Sequence, residues 1–199
     1  MSHDKGNTFK VICAELDKLG YSIEQKVMNA CEYGNVPQNR ERIYIVAFRS
    51  QKDYNNFKMP QPIELTKTIK DVIDFDDVVE DKYYHTPESC YFYDKLRTDA
   101  LNKNTIYQWR RVYVRENKSS LVPTLTANMG MGGHNVPIIL TDDGRYRKIT
   151  PRECFSVQGF PRTFILPKQS NGRLYKQAGN SVVVPVIQRI AEKIEETVQ

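Results

Sequence analysis

An unbroken apolar run at residues 43–48 constrains the fold of this chain more than any other feature. Together with Arg42 it predicts a strand over residues 42–48. Because no polar residues alternate with the apolar ones, we expect this strand to be buried on both faces. Strands covered on both sides occur mainly in α/β proteins. The run therefore favours an α/β fold, in which residues 1–67 form the closing part of a doubly wound domain.

A helix and a strand are predicted before this run. Apolar residues recur at intervals of three and four, which indicates an amphipathic helix capped by Asn7 or Thr8 and ended by Gly20. Its apolar stripe consists of Phe9, Ile12, Leu16 and Leu19. Residues 21–31 have the composition of a strand, and residues 33–35 that of a turn.

The composition changes near residue 68. Tyr, Asn, Asp and Lys become frequent, hydrophobic periodicity weakens, and short strands are predicted at 111–115, 124–127 and 136–140. A glycine-rich stretch at 130–133 separates the last two. We expect residues 68–147 to form a small, loop-rich, mostly β domain inserted into the α/β domain, to which residues 148–199 return.

Two helices are predicted in the closing segment. Thr150, Pro151 and Glu153 have the residue types and spacing of a capped helix start. A final helix is expected to begin near Ser181 and to pack on the sheet through Val183, Ile187, Ile190 and Ile194. Residues 179–181 would then lie at a helix start, where exposed N–H groups attract an anion. A simple N-cap is the alternative.

The charge pattern is compatible with a nucleic-acid partner. The 199 residues carry a net charge of +5, which alone proves little. Arginine and aromatic residues interleave more densely at 107–118, a composition that can hold phosphates and contact bases. A solvated charged strand is the alternative. No apolar run is long enough to cross a bilayer and the amino terminus is polar, so we expect no membrane segment and a cytoplasmic location.

The four cysteines indicate neither a zinc site nor a disulfide framework. They show no Cys-x-x-Cys spacing and no nearby histidine set, so no metal site is predicted. Each is interpreted as a small buried side chain. They are Cys13, Cys31, Cys90 and Cys154.

Two arginines alternate with other residues just before the apolar run. In an extended chain, Gln38, Arg40 and Arg42 fall on one side. Neighbouring guanidiniums repel one another unless an anion or acceptor lies between them, so they could bind a phosphate, a carboxylate or a base edge. Ordinary ion pairing with Glu41 is the more common outcome for such a string taken alone.

Four motifs together resemble, in family order, the last three conserved blocks of the DNA (cytosine-5) methyltransferases. Tyr-Gly-x-x-Pro-Gln-x-Arg-x-Arg-Ile-Tyr spans residues 33–44, and Gln-x-Gly-Asn-Ser-Val spans 177–182. Between them lie Thr-Pro-Arg-Glu-Cys at 150–154 and Gln-Gly-Phe-Pro at 158–161. The resemblance covers nearly the entire chain. It implies the C-terminal part of a Rossmann-like, S-adenosylmethionine-dependent methyltransferase domain, with an inserted target-recognition domain.

The resemblance also implies roles for individual residues. Arg42 would contact O2 of a flipped-out cytosine, where a cationic donor stabilises charge that builds on the ring. Arg40 and Gln38 would support this catalytic site. The residues expected to bind S-adenosylmethionine are Asn180, Ser181 and Val182. The segment at 150–161 would be structural, holding the recognition domain in place.

Residues of the inserted segment are expected to contact double-stranded DNA. Thr124 and Leu125 match the usual Thr-Leu landmark of the recognition domain, with the threonine at a phosphate. Gln108 would fill the space left by the extruded base, and Arg110 or Arg111 would contact guanine in the major groove. Tyr113 belongs to the same loop. Residues 128–137 also resemble a recognition-domain element.

Three motifs of the family do not occur in this sequence: Phe-x-Gly-x-Gly, Pro-Cys and Glu-Asn-Val. They carry the cofactor loop, the nucleophile and a glutamate that engages the base. We therefore expect a complementary N-terminal methyltransferase polypeptide, or self-association, and no turnover by the chain alone. A non-catalytic DNA-binding remnant and a tRNA cytosine-5 methyltransferase relative are the alternative functions.

Overall fold

A computed structural model of the chain describes residues 6–130 and 136–199. The helices are α1 (Asn7–Lys18), α2 (Ala30–Tyr33), α3 (Gln51–Asn56), α4 (Tyr93–Asp99), α5 (Pro151–Val157), α6 (Asn171–Asn180) and α7 (Val184–Val198). The strands are β1 (Ser22–Asn29), β2 (Gln38–Asn39), β3 (Glu41–Phe48), β4 (Tyr107–Arg110), β5 (Tyr113–Glu116), β6 (Val122–Pro123), β7 (Ile138–Leu140) and β8 (Tyr146–Lys148). The fold is α/β, as the sequence predicts.

The first unit is an antiparallel pair of long strands. β1 and β3 pair over eight residues each. Val46 and Phe48 are buried in a core that is completed by Val186 and Ile190 of α7 and by Val183, its N-cap. Arg42 and Ile43 are exposed, so the expectation of burial on both faces is wrong for the first half of β3. The reason is that this core covers only the second half of the strand.

The ends of the first two elements differ from the sequence prediction. Gly6, in the left-handed region at φ 81°, occupies the N-cap of α1 in place of Asn7 or Thr8. Gly20, at φ 78°, follows the helix end as predicted. None of the α1 residues, all of which the structure describes, is buried, so its apolar stripe has no full cover. β1 ends at Asn29, two residues before the predicted strand end, and α2 begins directly after it at Ala30.

The middle segment contains a four-stranded sheet in the order β5-β4-β7-β8. β4 and β5 form a hairpin in which Arg110 pairs with Tyr113. Arg111 lies in its turn at φ 58°, so the strand predicted at 111–115 begins only at Tyr113. Leu96 of α4 and Tyr107 of β4 are fully buried in the core under this sheet.

Two other strand predictions need correction. The strand predicted at 124–127 is displaced: β6 ends at Pro123 and the following residues are irregular, because their polar groups bond to other segments. The strand predicted at 136–140 is the shorter β7. Residues 131–135, which include most of the glycine-rich stretch and part of the element proposed at 128–137, lie outside the described residues.

The closing segment packs against the middle segment. α5 begins with the predicted capping box, in which Thr150 and Glu153 bond reciprocally to backbone N–H groups. α6 was not predicted. One core joins side chains on both sides of the proposed boundary at 147/148, among them Ile106, Leu125, Ile139, Phe155 and Tyr175. The division into three domains remains a prediction.

A buried ion pair fastens α5 to the middle segment. Arg147 donates to both carboxylate oxygens of Glu153, at 2.9 and 2.8 Å. It also donates to the carbonyl oxygen of Asp74, whose own N–H donates to Glu153. Burial lowers the pKa of Arg147, but its hydrogen bonds to Glu153 and the charge of that residue outweigh this effect and raise it. The pair explains how the segment at 150–161 can hold the middle segment in place.

Across 6–130 and 136–199, no helix is both long and apolar enough to cross a membrane. The same residues contain no group of three or more His, Cys, Asp or Glu side chains that could hold a metal ion.

Candidate functional site

The guanidinium of Arg40 joins three segments that are distant in sequence. It donates to the carbonyl oxygens of Leu125 at 2.8 Å, Gly179 at 3.1 Å and Ser181 at 3.0 Å. The residue is only 5% exposed. Burial, and then the charge of Arg42, lower the pKa of Arg40 to about 10. Arg40 therefore ties the Thr-Leu landmark to the predicted cofactor residues; we call this contact the arginine junction.

Short strands align the residues around the arginine junction. β2 pairs in parallel with β6, Gln38 opposite Val122 and Asn39 opposite Pro123. The side chain of Asn29 accepts from the N–H of Arg40 at 2.9 Å and donates to Asn39. These bonds hold the backbone between β2 and β3.

The three residues predicted to share one side do not share one environment. Gln38 and Arg40 are buried, whereas Arg42 is exposed and donates to the carbonyl oxygen of Glu41 at 2.6 Å. In the described residues, neither arginine forms an ion pair with Glu41. The exposed guanidinium of Arg42 is consequently the one that a ligand can reach.

Two buried glutamines lie beside the arginine junction. Gln38 donates to the carbonyl oxygen of Val157 at 3.4 Å, and Gln158 donates to that of Ala178 at 2.7 Å. The backbone oxygen of Gln158 also accepts from the N–H of Val184. Gln158 thus holds both ends of the segment that carries the predicted cofactor residues. From the sequence, Gln158 is predicted only to belong to the structural segment at 150–161, although the Gln-Gly-Phe-Pro motif could have indicated this role.

The predicted cofactor residues lie at the end of a helix and not at the start of one. Asn180 is the last residue of α6, Ser181 is its C-cap, and α7 begins only at Val184. Ser181 Oγ donates to the carbonyl oxygen of Ala178 at 2.8 Å. The expected helix-start anion site is therefore wrong, because α6 takes up residues 171–180 and presents its negative end here.

Gly179 allows the backbone of α6 to approach the middle segment. A Cβ at this position would overlap the carbonyl group of Thr126 and the N–H of Ala127. Only glycine fits such an approach. The motif glycine is thus required by the contact between α6 and the residues that follow Leu125.

A surface depression lined by polar residues lies next to the arginine junction. It is lined by Gln169, Arg173, Lys176, Gln177, Asn180 and Ser181. Asn180 and Val182 are exposed, and Ser181 is half-buried. The amide of Asn180 and the cationic side chains of Arg173 and Lys176 can donate hydrogen bonds to an anionic group.

The hairpin places its predicted DNA residues in different environments. Arg111 and Tyr113 are exposed at the tip, the latter by 49%. Trp109 points to the inner face and stacks on Phe92, with ring centroids 4.4 Å apart. Gln108 is buried, and its side-chain oxygen accepts from Arg110 at 2.9 Å and Arg115 at 3.0 Å. Filling the space of an extruded base would require Gln108 to leave both bonds.

The Thr-Leu landmark lies at the arginine junction. Thr124 Oγ1 donates to the carbonyl oxygen of Asn39 at 2.6 Å, and the side chain of Leu125 is buried. Because its proton is used in this bond, Thr124 would have to turn in order to donate to a phosphate. Its phosphate contact stays a prediction.

The environments of three of the four cysteines do not favour a nucleophilic thiol. Burial raises the pKa of Cys31, of Cys90 and, well above its usual range, of Cys154. A nucleophilic cysteine needs a lowered pKa. Cys13 lies on α1, outside the arginine junction. Cys13 and Cys31 are only partly buried, so the expectation that every cysteine is buried is wrong for these two.

Comparison with known proteins gives the class. The family model described as "C-5 cytosine-specific DNA methylase" matches residues 1–196. The chain therefore belongs to the C-5 cytosine-specific DNA methylase family.

Individual relatives include several bacterial enzymes. Type II methyltransferase M.Bsp6I from Bacillus sp. (strain RFL6) is 59% identical over 194 residues, which cover 98% of this chain and 61% of the relative. Type II methyltransferase M1.ScrFI from Lactococcus lactis subsp. cremoris is 36% identical over 200 residues, which cover 100% of this chain and 49% of the relative. M.HhaI from Haemophilus parahaemolyticus is 36% identical over 212 residues, which cover 97% of this chain and 59% of the relative. The chain thus spans about half to three-fifths of these relatives.

Solved structures share the fold. The Entamoeba histolytica methyltransferase EhMeth superposes with a TM-score of 0.67 at 18% identity, over 97% of this chain and 59% of that one. A DNMT2 mutant from Spodoptera frugiperda also gives a TM-score of 0.67 at 18% identity, over 98% and 64%. These likenesses support the fold of a Rossmann-like methyltransferase.

Proposed function

We propose that this chain is the target-recognition and closing part of a DNA (cytosine-5) methyltransferase of a restriction-modification system. The complete enzyme transfers a methyl group from S-adenosylmethionine to C5 of a flipped cytosine in a specific duplex site. The arginine junction carries the proposal, because one buried side chain joins the Thr-Leu landmark to the segment of the predicted cofactor residues. We place the protein in the cytoplasm.

Arg42 is the residue proposed to contact the reacting base. Its guanidinium is exposed, two residues after the buried Arg40 that fixes the backbone. A thiolate from a complementary polypeptide adds to C6, and negative charge spreads to O2 as C5 becomes nucleophilic. A hydrogen bond from Arg42 to O2 stabilises that charge. Arg40 and Gln38 position Arg42 without contacting the base.

Asn180, Ser181 and Val182 are proposed to form one wall of the cofactor site. The bound cofactor supplies an electrophilic methyl group on a sulfonium centre. The Asn180 amide donates to the amino-acid carboxylate, while Ser181 Oγ, which already donates to Ala178, can accept a hydrogen bond. The exposed side chain of Val182 supplies apolar contact.

The hairpin and the Thr-Leu landmark are proposed to contact double-stranded DNA. Arg111 and Tyr113 at the tip reach the duplex, and Arg110 contacts guanine. Thr124 turns to a phosphate beside the flipped nucleotide, and Leu125 holds its backbone in place. Gln108 lies beneath this surface.

A complementary polypeptide is proposed to cover the exposed face of the first unit. Val27 of β1 and Ile43 of β3 lie opposite each other and are 47% and 37% exposed. Apolar residues of α1, including Val11 and Ile12, are also exposed. Such surface favours association, with another polypeptide or with a second copy.

Complementation tests this proposal. The chain is combined with the part of M.Bsp6I that lies outside the region of similarity, and transfer of labelled methyl groups to duplex DNA is measured. We expect transfer by the mixture and none by either part. Arg42→Ala should lower the rate about 100-fold, as the loss of one donor to a developing oxyanion does. Arg49→Ala, another exposed arginine just beyond β3, is the matched control and should leave the rate unchanged.

The alternative functions give different results in the same assay. Duplex binding without methyl transfer would identify a non-catalytic DNA-binding module. Methylation of tRNA in preference to duplex DNA, in a direct competition, would identify an RNA methyltransferase. Either result would overturn the proposal.

A further inference from the structure

Two arginine side chains of the hairpin converge on a single neutral oxygen. Gln108 Oε1 accepts from Arg110 Nη2 at 2.9 Å and from Arg115 Nη2 at 3.0 Å. The two nitrogens are therefore less than about 6 Å apart. The register explains this geometry, because Gln108 pairs with Arg115 across the hairpin and Arg110 lies two residues along the same strand face.

This arrangement leaves two positive charges close together without a compensating anion. In the part of the chain that the structure describes, neither guanidinium has a carboxylate partner. Arg110 Nε is also buried, and no described residue accepts its hydrogen. Like charges this close repel unless a ligand supplies acceptors. The two guanidiniums can therefore bind a hydrogen-bond acceptor that a ligand supplies.

We propose that Arg115 is a second specificity-determining residue and that Gln108 positions it together with Arg110, so that two convergent guanidiniums bind the acceptor edge of guanine. The inference rests on the proposed function of the hairpin in DNA recognition. Gln108 is a positioning residue in this arrangement, which differs from its expected insertion into the duplex.

The shape and chemistry of the hairpin agree with this role. A two-stranded β-ribbon fits the major groove, where O6 and N7 of guanine present two acceptors to an arginine. Trp109, stacked on Phe92, fixes the opposite face of the ribbon. A glutamine oxygen aligns the guanidiniums and leaves both charges intact, whereas a carboxylate at this position would cancel one of the two charges. Phosphate oxygens present the same acceptor chemistry, so the test must distinguish base from backbone.

The test measures sequence preference separately from total affinity. The full chain, alone and with the complementary part of M.Bsp6I, selects duplexes from a randomised pool. Fluorescence anisotropy then compares the selected duplex with single-base variants. Arg115→Lys keeps the charge but loses the planar fork, Gln108→Glu keeps the acceptor but cancels one of the two positive charges, and Gln108→Leu removes the acceptor at similar size. Arg49→Lys is the matched control.

We expect wild type and Arg49→Lys to discriminate against substituted G·C pairs, and all three hairpin variants to lose roughly tenfold of that discrimination. Gln108→Glu should also weaken binding to every duplex. Arg115 is exposed, so Arg115→Lys remains informative even if a Gln108 variant fails to fold. Uniformly weaker binding by Arg115→Lys, with discrimination retained, would assign Arg115 to phosphate and overturn the inference. Unchanged discrimination in all variants would overturn it too. A wild-type chain that selects no sequence would instead overturn the proposed function.

Discussion

Arg40 donates a hydrogen bond to the carbonyl oxygen of Gly179, 139 residues further along the chain, at 3.1 Å. The same guanidinium satisfies Leu125 and Ser181, so its removal leaves three carbonyl groups without this donor. Each buried group left unsatisfied costs about 1–3 kcal/mol.

Arg40→Met should lower the free energy of unfolding by about 3 kcal/mol or more, since methionine fills the space but cannot donate. Urea unfolding followed by circular dichroism measures this. Arg42→Met at the exposed neighbouring position is the control, with an expected change within about 0.5 kcal/mol. Equal urea midpoints for Arg40→Met and Arg42→Met would show that the arginine junction does not stabilise the fold.

Gly179→Ala should destabilise the chain more than Gly20→Ala. The new methyl group at position 179 would overlap Thr126, whereas at Gly20 it meets open space and only the left-handed backbone is unfavourable. That conformation costs about 1–2 kcal/mol. Thermal unfolding of the two variants in parallel makes the comparison, and a milder effect at position 179 would show that α6 can move away from the middle segment.

Glu153→Gln should be among the most destabilising single changes. It leaves the buried guanidinium of Arg147 without its bidentate anion, and breaking a buried pair in this way costs about 3–5 kcal/mol. Glu80→Gln is the matched control, because Glu80 pairs with Lys82 at the surface. Urea midpoints that shift equally for both variants would argue against a structural role for the buried pair.

His85 should make the fold sensitive to mild acid. Burial, and then the charge of Lys148, lower the pKa of His85 to about 4. The unfolded chain, with a pKa near 6.5, therefore binds a proton first as pH falls, and stability declines between about pH 6.5 and 4. The loss is up to about 3 kcal/mol. Unfolding measured across this range should show a shallower decline in His85→Gln, and identical profiles would exclude His85 as the cause.

Val27→Lys should reduce association of the isolated chain. The substitution places a charge opposite Ile43 on the exposed face of the β1–β3 pair. Light scattering and binding of an apolar dye report the change. Val78→Lys, at an exposed position outside this pair, is the control. A wild-type chain that is monomeric and binds little dye would contradict the expected partner surface.

The sequence predicted local structure best where a chemical signal is contained in a few residues. The capping box at Thr150 and the stop at Gly20 are such signals, and both are confirmed. The long strand β3 was also predictable, because its apolar residues at 43–48 are contiguous. The irregular residues after Pro123 were not, since their bonds run to Asn39 and Arg40, more than 80 residues away.

The candidate site was predictable only in part for the same reason. The motifs indicated Arg40, Asn180 and Ser181, but nothing local showed that α6 would extend to Asn180. The convergence of Arg110 and Arg115 on Gln108 depends on the strand register, which a turn at Arg111 sets. Register and helix length follow from packing between segments, and a single sequence carries little direct record of that packing.

The core shared by the middle segment and α5–α6 has a practical consequence for exchanging specificity between relatives. A graft limited to residues 68–147 would separate Ile106 and Ile139 from Phe155 and Tyr175, which pack in the same cluster. Such a chimera would join two halves of a core that are not complementary. Crossovers near residues 67 and 181 would transfer that core as one piece, with the arginine of the recipient still able to bond to backbone carbonyls of the donor.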